Sequence, residues 1–450
     1  MMSTFFLQGI AFFTTPVFTA MLGTSQFGIY AVFNAWVCMF TCIMGLGVTS
    51  TLPIGKYVFH NSYFDFRSSI LLLSTLIGCV IIFLGLVFSE IISSLIKINE
   101  DLIIVLLITS FSYNIVSYAQ SVFIYEKKAL SNLVLSVGLS ILTVFLSICL
   151  IRVASKDFLY VGRIYGVALP YFIIAVVLWI KIFFKNPSGL KKEFVKFGIC
   201  VGFPIVFHML SHNVLIQSDR VMMQWLFISS NEIGMYSFFY TLSSILSVVL
   251  TTLNTSWCPF YFDYISKCDW NGLNIKAQNY IETFTAITTV FLLVGREVSK
   301  FMAPEDFQEG IDVLPILIIA VYCTFLYQFP TNYEFYYKRT TIIAIGTLIA
   351  GFLNIILNYL LIPVYGMYGA AVATVFSYMA LFVIHYVVVM IITSYRFCLS
   401  FSKFIISTFA IFVSVILFFI LKEMLLIRWI LGLSIGILEI IRMVQRKGIF

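Results

Sequence analysis

Two stripes of polar residues share one apolar stretch, and the first stripe carries groups that titrate. His208, His212 and Asp219 recur at i, i+4 and i+11, so on a helix they lie on one face. Ionisable groups inside a membrane span usually face a water-filled cavity or the interior of a bundle. On this reading the three side chains bind or relay a coupling cation. The alternative is that the histidines are hydrogen-bonded packing residues.

The second stripe is offset from the first and ends in a cation. Asn213, Gln217 and Arg220 recur at i, i+4 and i+7 within the same stretch, which includes "LIQSDRVMMQWL" at 215–226. Asp219 and Arg220 are sequence neighbours and point about 100° apart on a helix, so they do not simply neutralise each other. Arg220 is a candidate contact for an anionic substrate, with Asn213 and Gln217 as polar cavity residues. The alternative places Asp219 and Arg220 at the outer membrane interface.

Three further charged residues are candidates with a simpler alternative each. Arg163 lies in a basic outer connection with Arg152 and Lys156, where it could meet a pyrophosphate or anchor the helix by snorkelling. Lys56 could contact an anionic headgroup or serve as an ordinary positive-inside anchor. Glu334 in "YQFPTNYEFYYKRTT" is either a cavity acid that takes part in ion coupling or half of an interfacial pair with Lys338.

Composition determines which elements carry these residues. The chain has 450 residues, of which 61% are hydrophobic and 10% charged, and its mean hydropathy is +1.04. Such a chain is an integral membrane protein, and its long unbroken apolar runs predict helices rather than a β-barrel. We predict an all-α fold with about fourteen spans. They lie near 4–22, 29–51, 70–95, 102–125, 131–151, 160–182, 197–218, 235–258, 282–300, 311–333, 341–362, 367–392, 402–421 and 425–441.

An internal repeat predicts how the spans are grouped. "FGIYAVF" (27–33) recurs as "IGMYSFF" (233–239), and "IYGVA" (164–168) recurs as "MYGAA" (367–371). Six spans separate the copies, so they share one orientation and form parallel repeats around a central cavity. We predict an N-lobe at 1–184, a cytoplasmic linker at 185–196, a C-lobe at 197–395, and two additional spans with a cytoplasmic tail at 396–450.

Charge distribution and absent motifs narrow the function. About two thirds of the 27 lysines and arginines fall in the loops on one side, which the positive-inside rule makes cytoplasmic, together with both termini. The net charge of +7 therefore needs no nucleic acid. The nine cysteines show no metal-binding spacing, and no hydrolase, nucleotide-binding or metalloprotease motif is present. We predict a transporter that is not an enzyme and uses no cofactor or metal.

Three segments carry a resemblance to a known family. "NIILNYLLIPVYGMYGAAVAT", "SDRVMMQWLFISSNEIGMYSFFYTL" and "MLGTSQFGIYAVF" resemble the polysaccharide-biosynthesis exporters of the MOP superfamily, the Wzx-type flippases of O-antigen or capsule repeat units. The resemblance runs from about residue 5 to 390. The family places basic residues along its cavity, whereas the first span here has no Arg and only Gln8, Thr14 and Thr15 as polar residues. Gln8 is therefore a candidate polar cavity residue.

The resemblance implies a substrate and a location. The substrate is an undecaprenyl-diphosphate-linked oligosaccharide, moved from the cytoplasmic to the outer leaflet of the bacterial plasma (inner) membrane by an ion gradient. Partners are the lipid bilayer and, in addition, a polysaccharide polymerase and chain-length machinery. Two alternatives stay open: a drug:cation antiporter of the same superfamily, and a membrane-embedded polysaccharide polymerase, which the lack of a large outer loop argues against.

Overall fold

The computed structural model describes residues 2–393, 401–446 and 448–449, and for residues 2–8, 11 and 401 it describes the backbone alone. Helices and short connections make up all of this part of the chain. The α-helices are α1 (Met2–Met44), α2 (Leu52–Val58), α3 (Tyr63–Val87), α4 (Ser89–Ile96), α5 (Asp101–Tyr125), α6 (Ala129–Val153), α7 (Leu159–Phe183), α8 (Lys192–Trp225), α9 (Ser230–Ser266), α10 (Trp270–Met302), α11 (Glu305–Gln308), α12 (Leu314–Tyr336), α13 (Thr340–Ile392), α14 (Phe401–Ile420) and α15 (Leu425–Gln445).

The all-α membrane fold that the sequence predicts is confirmed. Ten helices within the described residues are long and apolar enough to cross a membrane. Two of them, α1 and α13, each cover two predicted spans, and α10 and α15 cover the ninth and fourteenth. The chain is therefore a multi-span membrane protein, and its helices account for all fourteen predicted spans.

The predicted spans that share α1, and those that share α13, are separated by a single glycine and not by a loop. Gly23 has φ 66° and ψ 177°, and Gly366 has φ 55° and ψ −131°, so each interrupts an otherwise continuous helix. Glycine adopts positive φ at no steric penalty, whereas a side chain would be strained there. The two halves of α1 are residues 2–22 and 24–44, and those of α13 are residues 340–365 and 367–392.

The chain divides into two compact units, Met1–Gly234 and Met235–Phe450. The first unit contains α8, which packs against α1, α3 and the turn at Val48–Thr51. Its largest apolar core includes Phe66, Leu71, Tyr118 and Val122. The repeat-based lobes with a linker at 185–196 remain a prediction about the duplication, and the compact units are a separate property of the packing.

A buried ion-pair cluster closes one end of the first unit. Arg67, which is 1% exposed, donates to Glu126 at 2.6 Å and to the carbonyl of Ile182 at 3.3 Å, while Lys128 also binds Glu126. Burial of the Glu126 carboxyl would by itself raise its pKa. The hydrogen bonds and charges of Lys128 and Arg67 outweigh that effect, so the pKa of Glu126 lies below its ordinary value of 4.5.

Replacing Glu126 by Gln is expected to lower the free energy of unfolding by about 3 kcal/mol, because it leaves the Arg67 guanidinium buried without its carboxylate. Since the pKa of Glu126 is lowered by folding, its stabilisation is present above about pH 4.5 and is lost as pH falls through the lowered pKa. Unfolding in detergent at pH 7 and at pH 3 to 4 measures both effects.

The matched control for this prediction is Asp65→Asn. Asp65 pairs with Lys191 at 2.5 Å, but both side chains are about half exposed. An exposed pair contributes less than about 1 kcal/mol. An equal loss in the two variants would contradict the claim that burial makes the Glu126 contact strong.

In the second unit, α14 and α15 are joined to α10 by a polar seam that runs along the helices. Thr283 donates to Glu439 at 2.8 Å, and Glu439 is 6% exposed. The Glu439 carboxylate is therefore buried against α10. The other contacts of the polar seam are Arg428 to Glu297 at 2.5 Å, Thr289 to Ser414 at 2.9 Å, Arg446 to Glu282 at 2.7 Å and Lys403 to Asn274 at 2.7 Å.

Candidate functional site

The two charges of "LIQSDRVMMQWL" are buried inside the first unit. Asp219 is 0% exposed and Arg220 is 6% exposed. Arg220 donates from Nη1 to the Gln217 side chain at 3.0 Å and to the carbonyl of Ile216 at 2.9 Å. The stripe that links Gln217 and Arg220 is therefore real. Protein covers both charges, whereas their depth in the membrane, and with it the outer-interface alternative, stays a prediction.

The remaining members of the two α8 stripes differ in their surroundings. Asn213 donates to the Sγ of Cys42 at 3.1 Å and to the carbonyl of Met209 at 3.0 Å, so it lies in the contact between α1 and α8. His208 and His212 have exposed side chains, whereas Asp219 on the same predicted face is buried. The predicted face of α8 therefore carries two exposed histidines and one buried carboxylate. The ion-coupling role of these residues stays a prediction.

The Arg163 side chain points into the helix bundle of the first unit. It donates from Nη1 to the Oγ of Ser147 at 2.7 Å, and its guanidinium lies 3.6 Å from the Phe18 ring centroid and 5.2 Å from that of Tyr30. Phe18 and Tyr30 belong to the two halves of α1. A guanidinium stacked on aromatic rings is held in a fixed plane, which suits bidentate binding of an anion. Arg163 thus places a positive charge beside α1, whose sequence has none, and its role as an anion contact or as an anchor stays a prediction.

Lys56 and Gln8 give less support to a substrate site. The Lys56 ammonium donates to the carbonyl of Tyr125 at the end of α5, where it stabilises the negative end of that helix. This contact favours the anchoring interpretation of Lys56. The side chain of Gln8 lies outside the described residues, so its role stays a prediction.

Glu334 forms a pair that the sequence did not indicate. Its Oε2 lies 2.8 Å from Nδ1 of His385, and both side chains are 0% exposed. The interpretation of Glu334 as an interfacial partner of Lys338 is therefore wrong, because Glu334 is enclosed between α12 and the second half of α13. His385 stands alone in the apolar run "LFVIHYVVVM", 51 residues from Glu334, and no helical spacing connects the two.

Within the first unit, residues at the start of the first repeated motif contact the residues that correspond to them in its copy. A Cβ added to Gly28 would lie 2.1 Å from the carbonyl oxygen of Ser230, and one added to Gly234 would lie 2.0 Å from that of Thr24. At the repeat offset of 206 residues, Thr24 corresponds to Ser230 and Gly28 to Gly234, so these are two copies of one contact. Thr24 also donates to Asn231 at 3.0 Å. A reciprocal contact of this kind is what two-fold related repeats produce on their axis.

Similar proteins share this fold at low sequence identity. An uncharacterized membrane protein of Haemophilus influenzae is 21% identical over 341 residues, which cover 74% of this chain and 81% of that protein. Among solved structures, the lipid II flippase MurJ in an inward closed conformation has a TM-score of 0.71 at 16% identity and covers 97% of both chains. An inward-facing multidrug resistance MATE family transporter of the MOP superfamily has a TM-score of 0.66 at 14% identity and covers 87% of this chain and 95% of that chain.

A family model settles the classification. The model of the polysaccharide biosynthesis protein family matches residues 1–265, more than half of the chain, and this segment contains Arg163, Asp219 and Arg220. The fold agrees with that match, since both solved structures are membrane transporters or flippases by their descriptions. The chain therefore belongs to the polysaccharide biosynthesis protein family and has the fold of MOP superfamily transporters.

Proposed function

We propose that the protein is a flippase for lipid-linked oligosaccharides. It moves undecaprenyl-diphosphate-linked repeat units of an O-antigen, capsule or exopolysaccharide from the cytoplasmic to the outer leaflet of the bacterial inner membrane, by alternating access driven by an ion gradient. Both termini are cytoplasmic. A polymerase and chain-length machinery would use the exported units, and the flippase itself carries out no covalent chemistry.

The observation that carries this proposal is the presence of inward-turned arginines in the segment that matches the polysaccharide biosynthesis family. A cation within a membrane span is unfavourable unless it meets an anion or water. Arg163 and Arg220 occupy membrane helices in residues 1–265, and both approach side chains of the first unit instead of a loop. A diphosphate carries the negative charge that two such guanidinium groups recognise best.

The chemistry of the substrate explains why a protein of this architecture is needed. Sugars and a diphosphate cannot cross lipid, because the bilayer core offers no hydrogen bonds and no counter-charge. The polyprenyl chain can stay in lipid throughout. The protein therefore has to shield only the head of the substrate, and Asn213, Gln217 and Gln8 are the polar residues that we assign to the sugars.

A second candidate function is export of small organic cations. It is favoured by the two fully buried acids, Asp219 and Glu334, which would attract a cation better than a diphosphate. The two functions differ in the sign of the cargo. A drug-susceptibility panel on a deletion strain separates them, since a cation exporter protects against toxic cations and a lipid-linked oligosaccharide flippase does not.

Deleting the gene is expected to trap lipid-linked oligosaccharide on the cytoplasmic leaflet and to remove the surface polymer. Membrane vesicles of both orientations, probed with a lectin or glycosidase that cannot cross the bilayer, report the leaflet directly. The wild-type gene on a plasmid is the control for polar effects. Substrate that still reaches the outer leaflet at the wild-type rate would refute the flippase proposal.

A further inference from the structure

The buried pair of Glu334 and His385 has features that simple packing does not require. Within the described residues, neither carboxylate oxygen of Glu334 and neither ring nitrogen of His385 has a well-aligned hydrogen bond, although Nδ1 and Oε2 are 2.8 Å apart. Buried polar groups nearly always have such partners. Two titratable groups in contact, fully enclosed and otherwise unsatisfied, form an exception that needs a functional explanation.

We infer that Glu334 and His385 together form a proton-binding site that couples transport to the proton gradient. This inference rests on the proposed function and identifies the ion that drives it. Without the proton, the pair is a carboxylate beside a neutral imidazole, with a net charge of −1. One proton taken from water onto the imidazole gives an imidazolium beside the carboxylate, with a net charge of zero. The pair therefore binds one proton per cycle.

Because the pair is buried, the presence or absence of this one proton changes the stability of the enclosed conformation. An uncompensated charge is strongly unfavourable in a low-dielectric interior, whereas a neutral ion pair at 2.8 Å is tolerated. With both side chains 0% exposed, the conformation described here encloses the pair and keeps water from it. Release of the proton requires a conformation in which water reaches the pair. Proton binding and conformational change are therefore linked at this site.

Three helical segments meet at the imidazole, so its charge state acts on their packing. Glu334 comes from α12 and His385 from the second half of α13. The first half of α13 contributes Gly346, where an added Cβ would lie 2.7 Å from Nε2 of His385. This close approach leaves the ring little room, so a change in its hydrogen bonding shifts α12 against α13.

Few other charges surround the pair. The Tyr327 ring on α12 lies 6.3 Å from the imidazole, and Tyr386 follows His385 in sequence. Gly346 adds no charge. The nearby basic residues are in the exposed turn after α12 and on α14, where one donates to Asn274; they are Lys338, Arg339 and Lys403. The ion pair of Glu334 is with His385, so we assign the proton exchange to these two residues.

The first test measures the proton without any transport substrate. The chain has four histidines, so replacing His60, His208 and His212 by Gln leaves His385 as the only imidazole and keeps the pair intact. ¹⁵N NMR of this full-length variant in nanodiscs follows its charge state with pH. Adding Glu334→Gln is expected to move the midpoint by about one pH unit or more. Adding Glu439→Gln, which removes another buried carboxylate of the second unit, should leave it unchanged. An identical titration with and without Glu334 overturns the inference.

The second test measures coupling in proteoliposomes loaded with an undecaprenyl-diphosphate oligosaccharide. An imposed pH gradient should accelerate transport by the wild type and by Glu439→Gln. Glu334→Gln and His385→Gln should still let the oligosaccharide equilibrate across the bilayer. The acceleration of transport by the pH gradient should be at least tenfold smaller in these variants than in the wild type. If both variants respond to the gradient like the wild type, proton coupling at this pair is refuted while the flippase proposal stands. If the wild type moves no oligosaccharide but its titration still depends on Glu334, the flippase proposal fails and the proton site stands.

Discussion

Replacing Arg163 by Ala is expected to reduce export of the lipid-linked oligosaccharide between tenfold and a hundredfold. A hydrogen bond to a charged group contributes about 1.5 to 3 kcal/mol, and about 1.4 kcal/mol corresponds to a factor of ten. The guanidinium is already fixed by Ser147 and by the Phe18 ring, so it binds a diphosphate without losing further side-chain freedom. Proteoliposome transport and the amount of surface polymer in complemented cells measure the effect.

Three control variants separate charge from packing at this position. Arg163→Lys keeps the charge but loses the planar fork, so an intermediate loss is expected. Ser147→Ala removes the supporting hydroxyl and leaves the cation in place. Arg152→Ala removes an exposed arginine from the neighbouring connection and should have little effect. Equal export by Arg163→Ala and Arg152→Ala would rule out Arg163 as an anion contact.

Joining Thr24 and Asn231 by a disulfide is expected to stop transport almost completely. The two side chains are in contact at 3.0 Å, beside the reciprocal approach of Gly28 and Gly234. In the orientation that we propose, this contact lies at the outer ends of its helices. The alternating access that we propose requires these ends to separate before the substrate leaves, and a disulfide would prevent the separation. The transport rate of the Thr24→Cys/Asn231→Cys variant should fall at least tenfold on oxidation.

Reduction of the disulfide supplies the internal control. A thiol reductant should restore transport by the double variant, and the two single-cysteine variants should keep their activity under oxidation despite the nine native cysteines. Full activity of the oxidised double variant, with the disulfide verified by mass spectrometry, would show that this contact does not open during the cycle.

The sequence predicts the helices well because hydropathy reports a local property of the chain. It placed breaks between residues 22 and 29 and between 362 and 367, and Gly23 and Gly366 lie in those intervals. It did not predict that one residue is enough to separate two spans. A sharp glycine break depends on backbone angles that only the packed structure imposes.

The candidate site was less predictable because its contacts are between helices. The pairing of Gln217 with Arg220 follows from helical spacing within α8, and the structure confirms it. The partners of Glu334 and Arg163 come from other helices, and a single sequence carries no signal for such pairs. Nothing in the sequence singles out His385, because an isolated histidine in an apolar run is typical of ordinary packing.

The polar seam of the second unit has a consequence for how the chain enters the membrane. Within the described residues, α10 is not among the helices apolar enough to cross a membrane on composition alone. It carries Glu282, Thr283 and Glu297, whose partners lie on α15 or directly after it and are made more than a hundred residues later. During synthesis these groups would have to wait in lipid without their partners, which is unfavourable. We therefore expect α10 to be unstable in the membrane until α15 is made, so a chain truncated before α14 should be degraded rather than fold as a twelve-span protein.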